Sequence, residues 1–229
     1  MILTADQYLG IGLYTVDEAA LYARVPSKTM SRWLFGDKQG RSVLDPAISS
    51  SERIVTFLDF VQALHIRQIR TDTECKISLA KIREAIETAR STYGVKYPLA
   101  MEHTTFLYGK ELIIRLRDDQ FVQLSGPHKH HQMISQIVRV YMKDLTFNAE
   151  GLAEKYRAWK FGSFDVQMNP AIRFGEPLLP TCGYSAQTLW EAAKVEGSIE
   201  AAAENYGVSP EEVEVGYRYW EQLQIPKAI

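Results

Sequence analysis

Lys28 and Arg32 lie four residues apart in the run Ser27-Lys28-Thr29-Met30-Ser31-Arg32-Trp33-Leu34. On a helix those two positions share a face. Long cations flanked by the short hydroxyls of Ser27, Thr29 and Ser31 can donate hydrogen bonds to phosphate oxygens and to the acceptor edges of bases. Met30, Trp33 and Leu34 form the opposite, apolar side. A helix divided in this way suits the second member of a helix-turn-helix, which lies in the major groove of duplex DNA. Lys28 and Arg32 are the expected base or near-base contacts, and Ser27, Thr29, Ser31 and Arg24 the expected backbone-positioning residues. Gly36-Asp37-Lys38-Gln39-Gly40-Arg41 follows as a polar, glycine-bounded hairpin tip. As a wing it would carry Lys38 and Arg41 to flanking phosphates, adding affinity that is salt-dependent and blind to sequence.

Those side chains need a partner helix and a tight turn, and the preceding residues supply both. Thr15 is a candidate N-cap, with Glu18 three residues on to complete a capping box. Val16, Ala19, Ala20 and Ala23 offer a small-residue inner face. Val25-Pro26 stops that helix, because the residue before proline avoids the α region, while Pro26 suits the first turn of the next.

Elsewhere the chain is poor in catalytic chemistry. No nucleophile-base pair, phosphate loop or pair of carboxylates at informative spacing stands out, so the chain reads as a non-enzyme without cofactor. His128, His130 and His131 crowd one short stretch without acidic or cysteine companions, a poor metal donor set. Cys75 and Cys182 are far apart and have no CxxC partner, which argues against zinc and against a disulfide framework. His65, among apolar neighbours, reads as a packed helix histidine.

The 229 residues, 46% hydrophobic and 24% charged, have the make-up of a globular protein of one large or two to three small domains. No apolar run approaches the length that spans a bilayer, and the N-terminus lacks the pattern of a signal peptide, so a cytoplasmic location without a membrane partner is expected. The net charge of −2 conceals an asymmetry: residues 1–168 hold 22 Lys and Arg against 19 Asp and Glu, and residues 169–229 hold 4 against 9. The two parts are expected to meet different partners.

Helical periodicity predicts core helices over 54–70 and 78–93, the latter with Lys81, Arg83, Glu84, Glu87 and Arg90 outside and closed by Gly94 and Pro98. Thr104 to Leu124 changes to the alternation of three short strands. A helix is expected over 132–143, and 154–164, EKYRAWKFGSF, reads as a basic, aromatic strand or loop. After an irregular lead over 169–183, Ser185, Ser198 and Ser209 stand at the starts of three helices separated by Gly197 and Gly207. The last two have helix-turn-helix spacing, yet the final helix carries Glu211, Glu212, Glu214 and Glu221 against Arg218 alone. Phosphate would repel that face, so this module is expected to bind protein or to dimerise. The expected domains are 1–100 (DNA binding), 101–168 (scaffold or dimerisation) and 169–229 (protein binding or oligomerisation).

Both ends together resemble the VapB-type antitoxin family, which joins a MerR-like N-terminal DNA-binding region to a C-terminal module of unknown function. The resemblance runs through YTVDEAALYARVPSKTMSRWL, TFLDFVQALHIRQIR, ISLAKIREAIETA, NPAIRFGEPLLPTCGYSAQTLWE and SIEAAAENYGVSPEEVEVGYRYWE, more than half of the chain in order. Its specific marks are Asn169-Pro170, then Gly175-Glu176-Pro177, then Tyr206-Gly207-Val208; Thr181-Cys182-Gly183 departs from the Gly-Thr-Arg usual there. The resemblance implies an antitoxin that neutralises a PIN-like ribonuclease toxin by direct binding and represses their operon by binding operator DNA. The fold expected is α+β and mostly helical: an N-terminal winged helix-turn-helix, a small central antiparallel sheet and a C-terminal three-helix module. A homodimer is expected to read a palindrome through two recognition helices. Toxin docking is expected through Phe174, Pro177 and Leu178 in the apolar lead and through Glu211, Glu212, Glu214 and Arg218. The rival reading is a stand-alone DNA-binding transcription repressor without a toxin partner.

Overall fold

The computed structural model describes residues 11–37, 40–48, 52–72, 77–102, 105–108, 111–115, 121–127, 132–133 and 144–225. The fold is mixed: seven α-helices and three small sheets occur among these residues. The chain divides into two compact units, one formed chiefly by Tyr14–Lys143 with Phe147–Ala153, the other by Asp144–Thr146 with Glu154–Lys227.

The first unit opens with α1 (Val16–Ala23) and α2 (Ser27–Phe35), bracketed by a short pairing of β1 (Leu13–Tyr14) with β2 (Val55–Thr56). Thr15 and Glu18 form the expected capping box: Glu18 N–H donates to Thr15 Oγ1 at 3.1 Å and Thr15 N–H donates to Glu18 Oε2 at 2.7 Å. α3 (Phe57–Thr71) starts from a second box, in which Asp59 N–H donates to Thr56 Oγ1 and Thr56 N–H to Asp59 Oδ2, both at 3.2 Å. Asp59 is fully buried and also accepts from Ala47 N–H at 3.1 Å, so one carboxylate caps the helix and fastens the incoming loop. α4 (Leu79–Tyr93) is capped by Ser78 and closed by Gly94 in the left-handed conformation. Trp33, Phe57, Phe60, Ile66, Ile69, Ile82 and Ile86 from these helices are fully buried. His65 is buried as expected, its Nδ1 3.1 Å from the Leu99 carbonyl oxygen; burial pushes its pKa down to about 4, against the pull of that hydrogen bond.

A four-stranded antiparallel sheet packs its second strand against α4. Its order is β3 (Thr105–Tyr108), β4 (Glu111–Arg115), β5 (Phe121–Gln123), β6 (Gln132–Met133). The first three strands lie where alternation places them. The fourth departs from the sequence reading, which starts a helix at Gln132: Val122 pairs with Gln132 and Phe121 with Met133, a cross-strand pairing that local helical periodicity does not register. The remainder of that expected helix, with Cys75, Lys38, His128, His130 and His131, lies outside the described residues.

The second unit is built on a three-stranded sheet of β7 (Leu145–Phe147), β8 (Ala153–Phe161) and β9 (Phe164–Met168). EKYRAWKF is thus a strand, joined to β9 by a hairpin in which Phe161 faces Phe164. Leu178 bridges Gln167 on one side and Ser185 on the other, tying the lead segment to β9. Three helices follow: α5 (Ala186–Glu196), α6 (Ile199–Tyr206) and α7 (Pro210–Gln224). Ser185, Ser198 and Ser209 cap them as expected, each accepting from the backbone three residues on. α5 and α7 approach so closely at Gly216 that a Cβ there would lie 2.8 Å from Leu189 Cβ.

Candidate nucleic-acid interface

The turn between α1 and α2 is a closed hydrogen-bonded unit. α1 ends at Arg24, which takes the left-handed conformation, and Val25 N–H donates back to the Ala20 carbonyl at 2.9 Å. Pro26 is the N-cap of α2 rather than its first helical residue, and it supplies no side-chain cap. Met30, Trp33 and Leu34 are buried, and Ser27, Lys28 and Arg32 are exposed; Thr29 and Ser31 are half-buried. The buried side is the one that the spacing predicts, while Thr29 and Ser31, expected to face outward, are partly covered.

Gly36 starts the hairpin. Its φ is +73°, and a Cβ would meet the Gly40 carbonyl oxygen at 2.8 Å, so the position excludes other residues on both counts. Asp37 and Gly40 pair with each other, with N···O distances of 3.1 and 3.3 Å. The returning chain docks on the end of α2, where Val43 and Leu44 N–H both donate to the Trp33 carbonyl at 2.7 and 2.9 Å. Arg83 of α4 reaches the same limb, donating from Nε to the Ser42 carbonyl at 2.7 Å and from Nη2 to the Arg41 carbonyl at 2.9 Å. Its guanidinium is therefore a brace for the hairpin, where helical periodicity alone reads it as an outward, solvated cation. Arg41 is exposed.

Two grooves flank Arg32. One, of about 510 Å³, is lined by Lys28, Ser31, Phe35 and Arg53 as well as Arg32. The other, of about 320 Å³, runs between Arg32, Arg41, Val43 and Arg83. The structure thus gathers Lys28, Ser31, Arg32 and Arg41 around adjoining depressions, while Arg24, Ser27 and Thr29 line neither. Arg53 was not singled out by sequence: it lies 22 residues beyond Ser31 and is brought alongside only by the fold. Its Nη1 donates to Ser31 Oγ at 3.2 Å and its guanidinium lies 5.5 Å from the centre of the Phe35 ring.

The acidic C-terminal helix is more occupied by its own unit than its sequence suggests. Glu212 sits in the Ser209 capping box; burial raises its carboxyl, and hydrogen bonds from Thr181 and from Ser209 outweigh that and hold it below the usual range. Glu214 is ion-paired with Arg218, whose guanidinium also lies 5.0 Å from the Phe161 ring centre. Glu211 is exposed. Pro177 and Leu178 are buried, and they anchor the lead segment rather than face solvent. Phe174 is 50% exposed and Ile172 48%, on a turn where Arg173 and Phe174 have φ of 46° and 55°. Trp159 of β8 stacks on Phe161 at 5.5 Å and meets Tyr219 of α7 at 6.1 Å, an aromatic join that no spacing in the sequence announces.

Among the described residues no three His, Cys, Asp or Glu side chains come together as a metal site would need. No helix among them is long and apolar enough to cross a membrane.

No family model matches the sequence. The chain is 22% identical over 223 residues to a protein of Mycobacterium tuberculosis (strain ATCC 25618 / H37Rv) named "Putative antitoxin VapB45", covering 89% of this chain and 91% of that one. Its fold is similar to that in the X-ray crystal structure of Rv2018 from Mycobacterium tuberculosis, with a TM-score of 0.57 at 18% identity, over 89% of this chain and 96% of the other.

Proposed function

We propose that this protein is the antitoxin of a toxin-antitoxin pair: it binds operator DNA through α2 and its hairpin, and neutralises a PIN-like ribonuclease toxin by direct contact. The observation that carries the DNA half is the outward face of α2. Lys28 and Arg32 are exposed there, with no carboxylate partner among the described residues, directly above the buried Met30, Trp33 and Leu34. Unpaired cations on a rigidly seated helix are what phosphate and guanine edges require. Arg41, on the hairpin limb braced by Arg83, adds a charge for the flanking backbone. In this reading α1, α2 and the hairpin act as a winged helix-turn-helix in the MerR manner. A homodimer places two such helices on the half-sites of a palindrome.

The antitoxin half is supported by end-to-end likeness to a protein that bears that name. The residues after 168 are the toxin-binding module in this proposal, with Phe174 and Glu211 as its solvent-facing members. Pro177, Leu178, Glu212, Glu214 and Arg218 hold the surface in shape. The protein is a regulator rather than an enzyme.

The deciding experiment is co-expression with the product of the adjacent gene, scored by co-purification and by relief of growth arrest. A stable complex and restored growth are expected, and deletion of residues 169–229 should abolish both. No complex and no rescue, with duplex DNA still bound, would leave a stand-alone transcription repressor.

A further inference from the structure

We infer that Arg53 is a further DNA contact that also fixes Ser31 as a hydrogen-bond donor, so that the two residues, with Lys28, seat one backbone phosphate of duplex DNA. The inference rests on the DNA-binding reading above and adds to it a residue outside the helix-turn-helix.

Arg53 sits at the end of the limb returning to β2, exposed and with a backbone φ of 52°, a conformation for which arginine has no local preference. That conformation belongs to a limb that carries the guanidinium over Phe35 and onto Ser31 of α2. The contacts of Arg53 are the Ser31 hydroxyl and the Phe35 ring, with no carboxylate among the described residues. A guanidinium has five N–H donors in a planar fork, and Ser31 uses one of them. The rest of the fork is available to an acceptor in the groove.

The consequence for Ser31 follows from its own hydrogen-bonding inventory. A serine hydroxyl has one donor and two acceptor lone pairs. With Arg53 donating into one lone pair, the Ser31 O–H turns away from the guanidinium and donates elsewhere. Lys28, Arg32, Arg53 and Ser31 therefore offer the groove of about 510 Å³ three cations and one oriented hydroxyl, against the single carboxylate of Asp37. That donor set recognises a monoanion with several acceptor oxygens, and planar guanidinium forks match phosphate geometry. Because Arg53 approaches from outside α2, its contact is one that positions the duplex and carries no base preference.

The test is fluorescence anisotropy with the full chain, across a salt series, on two duplexes of equal length: one from the region upstream of its own gene and one of scrambled sequence. Arg53→Ala is expected to weaken both by a similar factor and to reduce the slope of log K against log salt by about one. Arg53→Lys should restore the slope but only part of the affinity, since an ammonium keeps the charge and loses the fork. Ser31→Ala should cost less in the Arg53→Ala background than in the native chain. Unchanged affinity and slope for Arg53→Ala, in a protein where Arg32→Ala does weaken binding, would overturn this inference and leave the DNA-binding reading intact. A native chain that binds neither duplex would overturn both. Circular dichroism matching the native chain verifies that the variants are folded.

Discussion

The turn joining α1 to α2 and the turn joining α6 to α7 have closely similar backbones and opposite surfaces. Each first helix ends on a left-handed residue, Arg24 at φ 54°, ψ 47° and Gly207 at φ 64°, ψ 36°. In each case the next residue is valine, and its N–H returns to an alanine carbonyl five residues back: Val25 to Ala20 at 2.9 Å, Val208 to Ala203 at 3.0 Å. An extended residue then opens the second helix, Pro26 in one turn and Ser209 in the other. Beyond that point the two part. α2 turns outward cations that have no carboxylate partner among the described residues, whereas α7 carries Glu211, Glu212 and Glu214, the second bound into its own cap and the third paired with Arg218. The turn is thus a local hydrogen-bonding solution, and in the function proposed above the charges on the outer face decide the kind of partner.

The strongest way to break this comparison is to give α2 the charge of α7. Lys28→Glu with Arg32→Glu should remove a phosphate contact and a base contact, the latter worth about 1–3 kcal/mol, and add repulsion from phosphate, so that specific binding falls below detection in an anisotropy assay. Both side chains are exposed, so thermal stability should stay within about 0.5 kcal/mol of the native chain. Retained operator affinity would show that another surface binds DNA.

The two units also differ in how acid should act on them. His65, in the first unit, is buried neutral with its pKa near 4, below the usual 6.5. The unfolded chain takes up its proton first as pH falls through 6.5, so folding loses stability between pH 6.5 and about 4, by roughly 3 kcal/mol in total. Buried Asp59 acts in the opposite sense, because burial raises its carboxyl and protonation at low pH relieves that cost. In the second unit the carboxyl of Glu212 is held below its usual value, so its contribution is present at neutral pH and is lost only as pH falls through that lowered value. Urea titrations followed by hydrogen exchange should therefore show protection falling first in the first unit as pH drops from 6.5. His65→Gln, which keeps a donor for the Leu99 carbonyl, should flatten that fall; an unaltered pH profile in the variant would remove the assignment to His65.

These differences were legible in the sequence to unequal degrees. Four of the expected caps, Thr15, Ser185, Ser198 and Ser209, and the buried face Met30-Trp33-Leu34 could be read because they depend on residues three or four apart. The role of Arg83 could not, because its acceptors lie 41 and 42 residues away. Arg53 escaped for the same reason, and so did the join of Trp159 and Tyr219 between a strand and a helix. The burial of Leu178 is set by bridges to Gln167 and Ser185, which a reading of Gly/Pro-rich sequence as surface loop does not anticipate. Periodicity reports which face is buried, and only tertiary pairing reports what an exposed cation or an apolar loop residue is holding.

Two glycines sharpen the comparison by separating the hairpin from the helix pair. Gly36→Ala meets the Gly40 carbonyl oxygen at 2.8 Å and must hold a φ of +73°, whereas Gly216→Ala meets Leu189 Cβ at 2.8 Å inside a packed helix contact. Each should cost about 1–3 kcal/mol in a denaturant titration. Gly36→Ala should also weaken DNA binding, and Gly216→Ala should leave it unchanged while weakening capture of the co-expressed neighbour. If both variants behave alike in the two binding assays, the units do not divide the work between them.

The smallest effect concerns the left-handed residues themselves. A Cβ at Gly207 would meet nothing within 4 Å, so Gly207→Ala isolates the backbone cost of a side chain in that conformation, roughly 1–2 kcal/mol. The reverse change, Arg24→Gly, relieves that same cost but frees the unfolded chain, which returns about 0.5–1 kcal/mol of it. The net change in stability should therefore lie within about 1 kcal/mol of zero, while loss of the cation weakens DNA binding and lowers its salt dependence. Stability and affinity would then respond separately at the turn, as expected if its backbone serves folding and its charge serves the partner. A stability loss of several kcal/mol in Arg24→Gly would instead make the half-buried arginine side chain part of the packing that holds the two helices together.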